Sequence, residues 1–123
     1  MAAPNVVNVT SIYGKTTGGA LGTSVSDILS NGSSSNKLLK LNSIIVANVD
    51  GSAGADATVY FYNADNTTAY HLAKTVTVPA KSTLVVLGKD SPIYLEEGDK
   101  IQALASAAGD LEIIISYEEL DDA

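Results

Sequence analysis

Ile113-Ile114-Ile115-Ser116-Tyr117-Glu118-Glu119, close to the end of a 123-residue chain, is the stretch that decides the fold class. Leu111, Ile113, Ile115 and Tyr117 fall on one side of an extended strand, and Glu112, Ser116 and Glu118 on the other. These are β-branched and aromatic residues with turn-forming Gly109-Asp110 just before them. A strand with one such face must bury it against a second layer, so the run implies sheets around a shared core.

Working back from this run, the alternation recurs as far as Thr58 and is broken by short Gly, Pro, Asp or Asn turns. Ile101, Ala103, Ala105 and Ala107 alternate with Lys100, Gln102 and Ser106, after a turn at Glu96-Glu97-Gly98-Asp99. Ile93-Tyr94-Leu95 and Leu84-Val85-Val86-Leu87 read as short strands, and Pro79 suits a strand end because it has no ladder donor. Tyr70, Leu72, Lys74, Val76 and Val78 share one parity, and Val59 and Phe61 oppose Tyr60 and Tyr62. Further upstream, Leu39, Leu41, Ser43, Ile45, Ala47 and Val49 mark one face of a long strand. The first third is the least regular: Val6 to Tyr13 and Val25 to Leu29 suggest strands, with Lys15 to Gly19 a polar connection and Ser30 to Asn36 a loop. About eight short strands at roughly ten-residue spacing predict an all-β, single-domain antiparallel β-sandwich, jelly-roll-like. The expected layout is an irregular N-terminal arm over 1–36, the sandwich core over 37–119 and an acidic tail over 120–123.

Composition narrows the function. At 46% hydrophobic residues the chain can build an aliphatic core without staples, and it has no cysteine, so thiol catalysis, thiolate metal sites and disulfides are excluded. The start, Met1-Ala2-Ala3-Pro4-Asn5, shows no leader pattern, and apolar runs are too short to span a membrane as a helix. Net charge is −7, and the imbalance lies in residues 97–123, where Lys100 stands against eight acids. All basic residues are lysines; without arginine and without a basic surface, nucleic-acid binding is not expected. The acidic end reads either as a solvated terminus or as a docking element for a basic partner.

Candidate chemistry is sparse. Gly14-Lys15-Thr16 ends like a phosphate-binding loop, but the position five residues before Gly14 is Val9, not glycine. His71 is the single histidine, which suits a surface strand residue better than a metal site or triad. Glu96, Glu97 and Asp99 are the one local carboxylate cluster; a turn around Gly98 is the simpler account, with glycoside hydrolysis or Ca²⁺ binding the sharper ones. Six tyrosines, Tyr13, Tyr60, Tyr62, Tyr70, Tyr94 and Tyr117, supply either cross-strand packing or a protein- or sugar-binding surface.

Four segments carry a resemblance: Ser43 to Gly51, Val78 to Val86, Ile93 to Asp99 and Ser116 to Leu120. Over roughly residues 5–120 the chain resembles small virion structural proteins of tailed bacteriophages, of the marine and cyanobacterial type. The resemblance implies a β-sandwich that decorates the capsid as a cement protein, without enzymatic activity, cofactor or metal, in a virion assembled in the host cytoplasm. Its partners would be the major capsid protein or other virion proteins and further copies of itself. Tyr13, Tyr60, Tyr62, Tyr70, Glu118, Glu119, Asp121 and Asp122 are the residues expected to meet a partner. The alternatives are a neck or tail adaptor or fibre-attachment piece, and a carbohydrate-binding or adhesin module using the tyrosines.

Overall fold

A computed structural model describes residues 11–121. Among these residues the chain forms nine strands and no helix. They are β1 (Ser11–Ala20), β2 (Ser26–Ser30), β3 (Lys37–Asn48), β4 (Ala55–Asn63), β5 (Thr68–Val78), β6 (Thr83–Leu87), β7 (Ile93–Leu95), β8 (Lys100–Ala105) and β9 (Leu111–Asp121). The first sheet runs β1-β9-β3-β6, with β7 also paired to β3; the second runs β2-β8-β4-β5. Every pairing is antiparallel. Successive strands thus alternate between the two sheets of an all-β sandwich from β1 to β3.

The core lies between β9 and β3 of the first sheet and β8 and β4 of the second. Leu111, Ile113 and Ile115 are fully buried, while Glu112 and Ile114 between them are exposed, so β9 has the facing that its alternation predicts. Ile101, Ala103 and Ala105 turn inward from β8 in the same way. The two inner faces differ in size. Ala55, Ala57, Ala73, Ala103 and Ala105 line much of the second sheet, and Leu39, Leu41, Ile44, Val46, Ile113 and Ile115 fill the space from the first. Bulky side chains from one layer over small ones from the other let the sheets interdigitate. Each fully buried Ile or Leu contributes about 1.5–3 kcal/mol.

Two strands depart from simple alternation. In β3 the register shifts between Leu41 and Ser43. Leu39 and Leu41 are inward before the bulge, and Ile44, Val46 and Asn48 after it. The sequence expectation that Ser43, Ile45, Ala47 and Val49 continue the Leu39–Leu41 face is therefore corrected; Val49 is 55% exposed. One extra residue reverses all later side chains. The β4–β5 pair carries two such shifts, and Thr75 takes φ of 47° with its N–H donating to the buried Thr58 hydroxyl at 3.0 Å. Tyr70 lies opposite Phe61, Ala73 opposite Val59 and Val78 opposite Ala55, so the single-parity face expected for β5 is broken too.

The N-terminal third is more ordered than its composition suggests. Lys15 to Gly19, expected to be a connection, is the body of β1, which pairs with β9 residue by residue from Ser11↔Asp121 to Ala20↔Glu112. Residues 11–36 supply an edge strand to each sheet, whereas the first strand expected from Val6 lies partly outside the described residues. At the other end, Leu120 and Asp121 belong to β9, and Leu120 is buried; Asp122 lies outside the described residues.

Candidate functional site

The sandwich sorts the six tyrosines onto separate surfaces. Tyr60 and Tyr62 point outward from β4, where alternate residues share a face, and both are half-buried. Tyr60 packs against His71 of β5 in a tilted pair with ring centroids 4.6 Å apart, and the Lys100 ammonium lies 5.1 Å from the centre of the Tyr62 ring. Next to them, Asp27 of β2 accepts hydrogen bonds from Gln102 at 2.9 Å and Lys100 at 3.1 Å. The Gln102 and Lys100 bonds hold the Asp27 carboxyl below its ordinary pKa. Asp27, Lys100, Gln102, Tyr60, Tyr62 and His71 therefore form one polar-aromatic outer face. Tyr70 is elsewhere: it pairs with Phe61 on the opposite face and accepts a hydrogen bond from Asn66 at 2.9 Å. Tyr94 sits opposite Lys40 on β3, and Tyr13 sits opposite Glu119 at the β1 edge.

Glu119 is the residue whose role sequence reasoning missed. It shares the inward parity of Ile115 and Tyr117, and its side chain is 8% exposed. One carboxylate oxygen meets the Lys15 ammonium at 2.6 Å and the other meets Lys37 at 2.7 Å. Hydrogen bonds from Lys15 and Lys37 hold the Glu119 carboxyl below its usual pKa against the opposing effect of burial, and the same bonds raise both lysines. The acid expected to dock on a basic partner is thus neutralised within the fold. The signal that could have found it is parity, since an acid two residues beyond Tyr117 points inward. A cavity of about 240 Å³ opens beside this triad, lined by Leu29, Asn31, Lys37, Leu39, Tyr117 and Glu119 among others. Glu118, on the other side of β9, is half-buried opposite Lys40, and Asp121 is half-buried opposite Lys37 and Ser11.

The carboxylates at the 96–99 turn are tied into the backbone. Asp99 is 4% exposed and accepts from the N–H groups of Ala64 at 2.9 Å and Glu96 at 3.0 Å. Glu97 accepts from the Asn36 N–H at 2.8 Å, and its other carboxylate oxygen is buried without a hydrogen-bond partner among the described residues. Gly98 takes φ of 90° and donates to the Asn31 carbonyl. Asn31 in turn donates to the carbonyls of Lys37 at 2.8 Å and Leu95 at 2.9 Å, so the turn braces the β2–β3 loop. Among the described residues no group of three or more His, Cys, Asp or Glu is placed to hold a metal ion.

The outer face of the first sheet is different in character. The register aligns Gly18, Ile114, Ile45 and Val85 across β1, β9, β3 and β6. Ile114 is 40% and Val85 62% exposed. The rows on either side are Thr16, Ser116 and Ser43, and Ala20, Glu112, Ala47 and Thr83. Glu112 is the one charge in this patch.

No protein-family model matches the chain, and neither does any curated protein. Among solved structures, the chain is similar to a protein of Bacillus endospore appendages, described as forming a novel family of disulfide-linked pili. The TM-score is 0.54 at 14% identity, covering 92% of this chain and 88% of that chain. A pentameric capsid protein isolated from metagenomic phage sequences matches at TM-score 0.35 and 16% identity, over 86% of this chain and 64% of that one. The first likeness is one of fold, and the second is too loose to carry an argument.

Proposed function

We propose that this chain is a non-enzymatic structural subunit of a virion or extracellular appendage, and specifically that it decorates a phage capsid by binding the lattice of the major capsid protein. The observation that carries the proposal is the apolar row Ile114–Ile45–Val85 on a sheet face of small residues. Apolar side chains aligned across a flat sheet gain most by covering another surface, and contiguous exposed apolar area marks contact sites. The endospore-appendage likeness supports an assembly role, since in that protein the fold serves a pilus. These 123 residues hold no cysteine, so they make no disulfide link of the kind that joins those pili. The resemblance to tailed-phage virion proteins in the Ser43–Gly51 and Val78–Val86 segments favours the capsid over the pilus.

Quantitative mass spectrometry of purified particles tests the proposal. Copy number comparable with the major capsid protein supports decoration. A copy number matching a single ring moves the chain to the neck or tail, and absence from any particle or fibre refutes the structural role.

The polar-aromatic face favours one second reading, a carbohydrate-binding module. Tyr60 and Tyr62 offer ring surface beside Asp27, Gln102 and His71, the planar polar groups that bind sugar hydroxyls. Lys100 covers part of the Tyr62 ring and would have to move. Glycan-array binding lost on Tyr60→Ala or Tyr62→Ala would support this reading, and a blank array would remove it.

A further inference from the structure

The four outer edges of the sandwich are not equally protected. A bare strand edge offers unpaired N–H and C=O groups, and folded proteins blunt such edges with bulges, short strands, charges or proline. β2 is five residues long and bulged between Asp27 and Leu29. β6 is also five residues, with a register shift at Ile44/Ile45, and the same edge of β3 then passes to the three-residue β7. β5 is longer but has two register shifts against β4 and the left-handed Thr75. β1 has only one of these devices, a single charge. It runs ten residues in unbroken register with β9 and contains no proline, and its one charged side chain, Lys15, is turned onto Glu119. Among the described residues no strand pairs with its outer edge.

We infer that this edge is covered by β1 of a second copy, antiparallel about a two-fold axis through Thr16. The choice of partner comes from the sequence of the strand itself. An axis normal to the sheet keeps inner and outer faces continuous, so only residues of like parity can oppose each other. With Thr16 on the axis, Tyr13 of one copy lies over Gly19 of the other, Ile12 over Ala20, Gly14 over Gly18 and Lys15 over Thr17. The two bulky exposed residues, Ile12 at 59% and Tyr13 at 50%, thus fall on the smallest positions of the strand. Among the described residues, and apart from its two chain neighbours, no atom lies within 4 Å of a Cβ placed on Gly14 or Gly19, which leaves room there for a neighbour. An aromatic ring over an edge glycine and a Thr–Thr pair at the centre are both favourable cross-strand contacts. Shifting the axis by one residue to Lys15 sets two ammonium groups against each other, which disfavours that register. The pairing would join the two first sheets into one continuous sheet and bring their apolar outer rows onto a common surface.

This dimer does not depend on the decoration role: a protein of another function could form it, and a decorating protein could assemble through another surface. The experiment reads the edge alone. Because the chain has no cysteine, single cysteines report cleanly. Directly opposed cross-strand Cβ atoms are about 4.5–5.5 Å apart, within small adjustment of disulfide geometry. The full chain should run as a dimer in light scattering. Thr16→Cys should form a disulfide-linked dimer in a glutathione buffer, whereas Ser26→Cys on β2, Ala69→Cys on β5 and Thr83→Cys on β6 should not. Thr16→Lys should yield a monomer with unchanged far-UV circular dichroism and a lower melting temperature that no longer rises with protein concentration. A monomeric wild type, whether its edge is bare or covered by its own residues 1–10, overturns the inference. So does a dimer in which Thr16→Cys cross-links no faster than the three controls.

Discussion

Replacing Glu119 by glutamine removes one charge from a site where two lysines converge, with little change in shape. The carboxylate is 8% exposed and receives Lys15 at 2.6 Å and Lys37 at 2.7 Å. Hydrogen bonds to charged groups contribute about 1.5–3 kcal/mol when desolvated, against about 0–1 kcal/mol for exposed ion pairs. The lysine side chains are 48% and 39% exposed, so water competes from their side and each of the two contacts takes a value between those ranges, about 1 kcal/mol. The expected loss is about 2 kcal/mol, or roughly 6–10 °C in melting temperature for a domain of this size. The pH dependence supplies a second readout. The folded carboxyl is held below its ordinary pKa, so the unfolded chain takes up the proton first on acidification. The stabilisation is complete above the ordinary glutamate range and is lost as pH falls through the folded value. The lysines, raised by the same contacts, lose their contribution at the alkaline end as pH rises through their folded values. Thermal melts of wild type and Glu119→Gln, followed by circular dichroism from about pH 7 down to about pH 2.5, should show a gap that closes in acid. A gap below about 2 °C at neutral pH, or one that stays constant into acid, would refute the reasoning.

Asn31→Ala deletes both side-chain donors to the Lys37 and Leu95 carbonyls and should cost about 2–4 kcal/mol in urea unfolding. Ile113→Ala should cost about 2–5 kcal/mol because the side chain is fully buried, whereas the adjacent Ile114→Ala should stay within about 0.5 kcal/mol; similar losses at both would contradict the assigned facing. Val85→Lys places a charge in the exposed apolar row, and should leave the melting temperature within about 2 °C while sharply reducing occupancy on particles. Full occupancy by that variant would exclude the row from the contact.

What the sequence made legible follows one physical rule, that alternation reports facing only while the register is unbroken. The inward residues of β8 and the first half of β9 come out as the pattern states, because no bulge interrupts them where they face the core. In β3 the pattern Leu39–Leu41–Ser43–Ile45 looks continuous, yet the bulge before Ser43 hands the inward side to Ile44 and Val46. Both parities are apolar there, so nothing local records the switch. β1 fails for a different reason. Gly14, Lys15, Gly18 and Gly19 have poor strand propensity, and the stretch from Gly14 to Gly19 has no apolar face. The strand forms because β9 offers a full-length partner, and that partner is about a hundred residues away in sequence.

The same distance explains why charge along the chain misleads about charge on the surface. Residues 97–123 carry the whole of the net charge of −7, which suggests an acidic docking patch. In the sandwich, β9 is a central strand, and its neighbours β1 and β3 bring lysines from the first third of the chain. Lys15 and Lys37 converge on Glu119, and Lys40 stands opposite Glu118. Lys100 turns to Asp27 across the other sheet. Within this acidic stretch Glu119 meets a cation from each neighbouring strand, and its charge helps hold the edge strand. On the roles proposed above, contact with a partner would fall to uncharged features, the row Ile114–Ile45–Val85 and the β1 edge that no strand among the described residues pairs with, which would bind by area and backbone hydrogen bonds. Association through such surfaces should weaken little as salt rises, because screening acts on exposed charges and these contacts contain few.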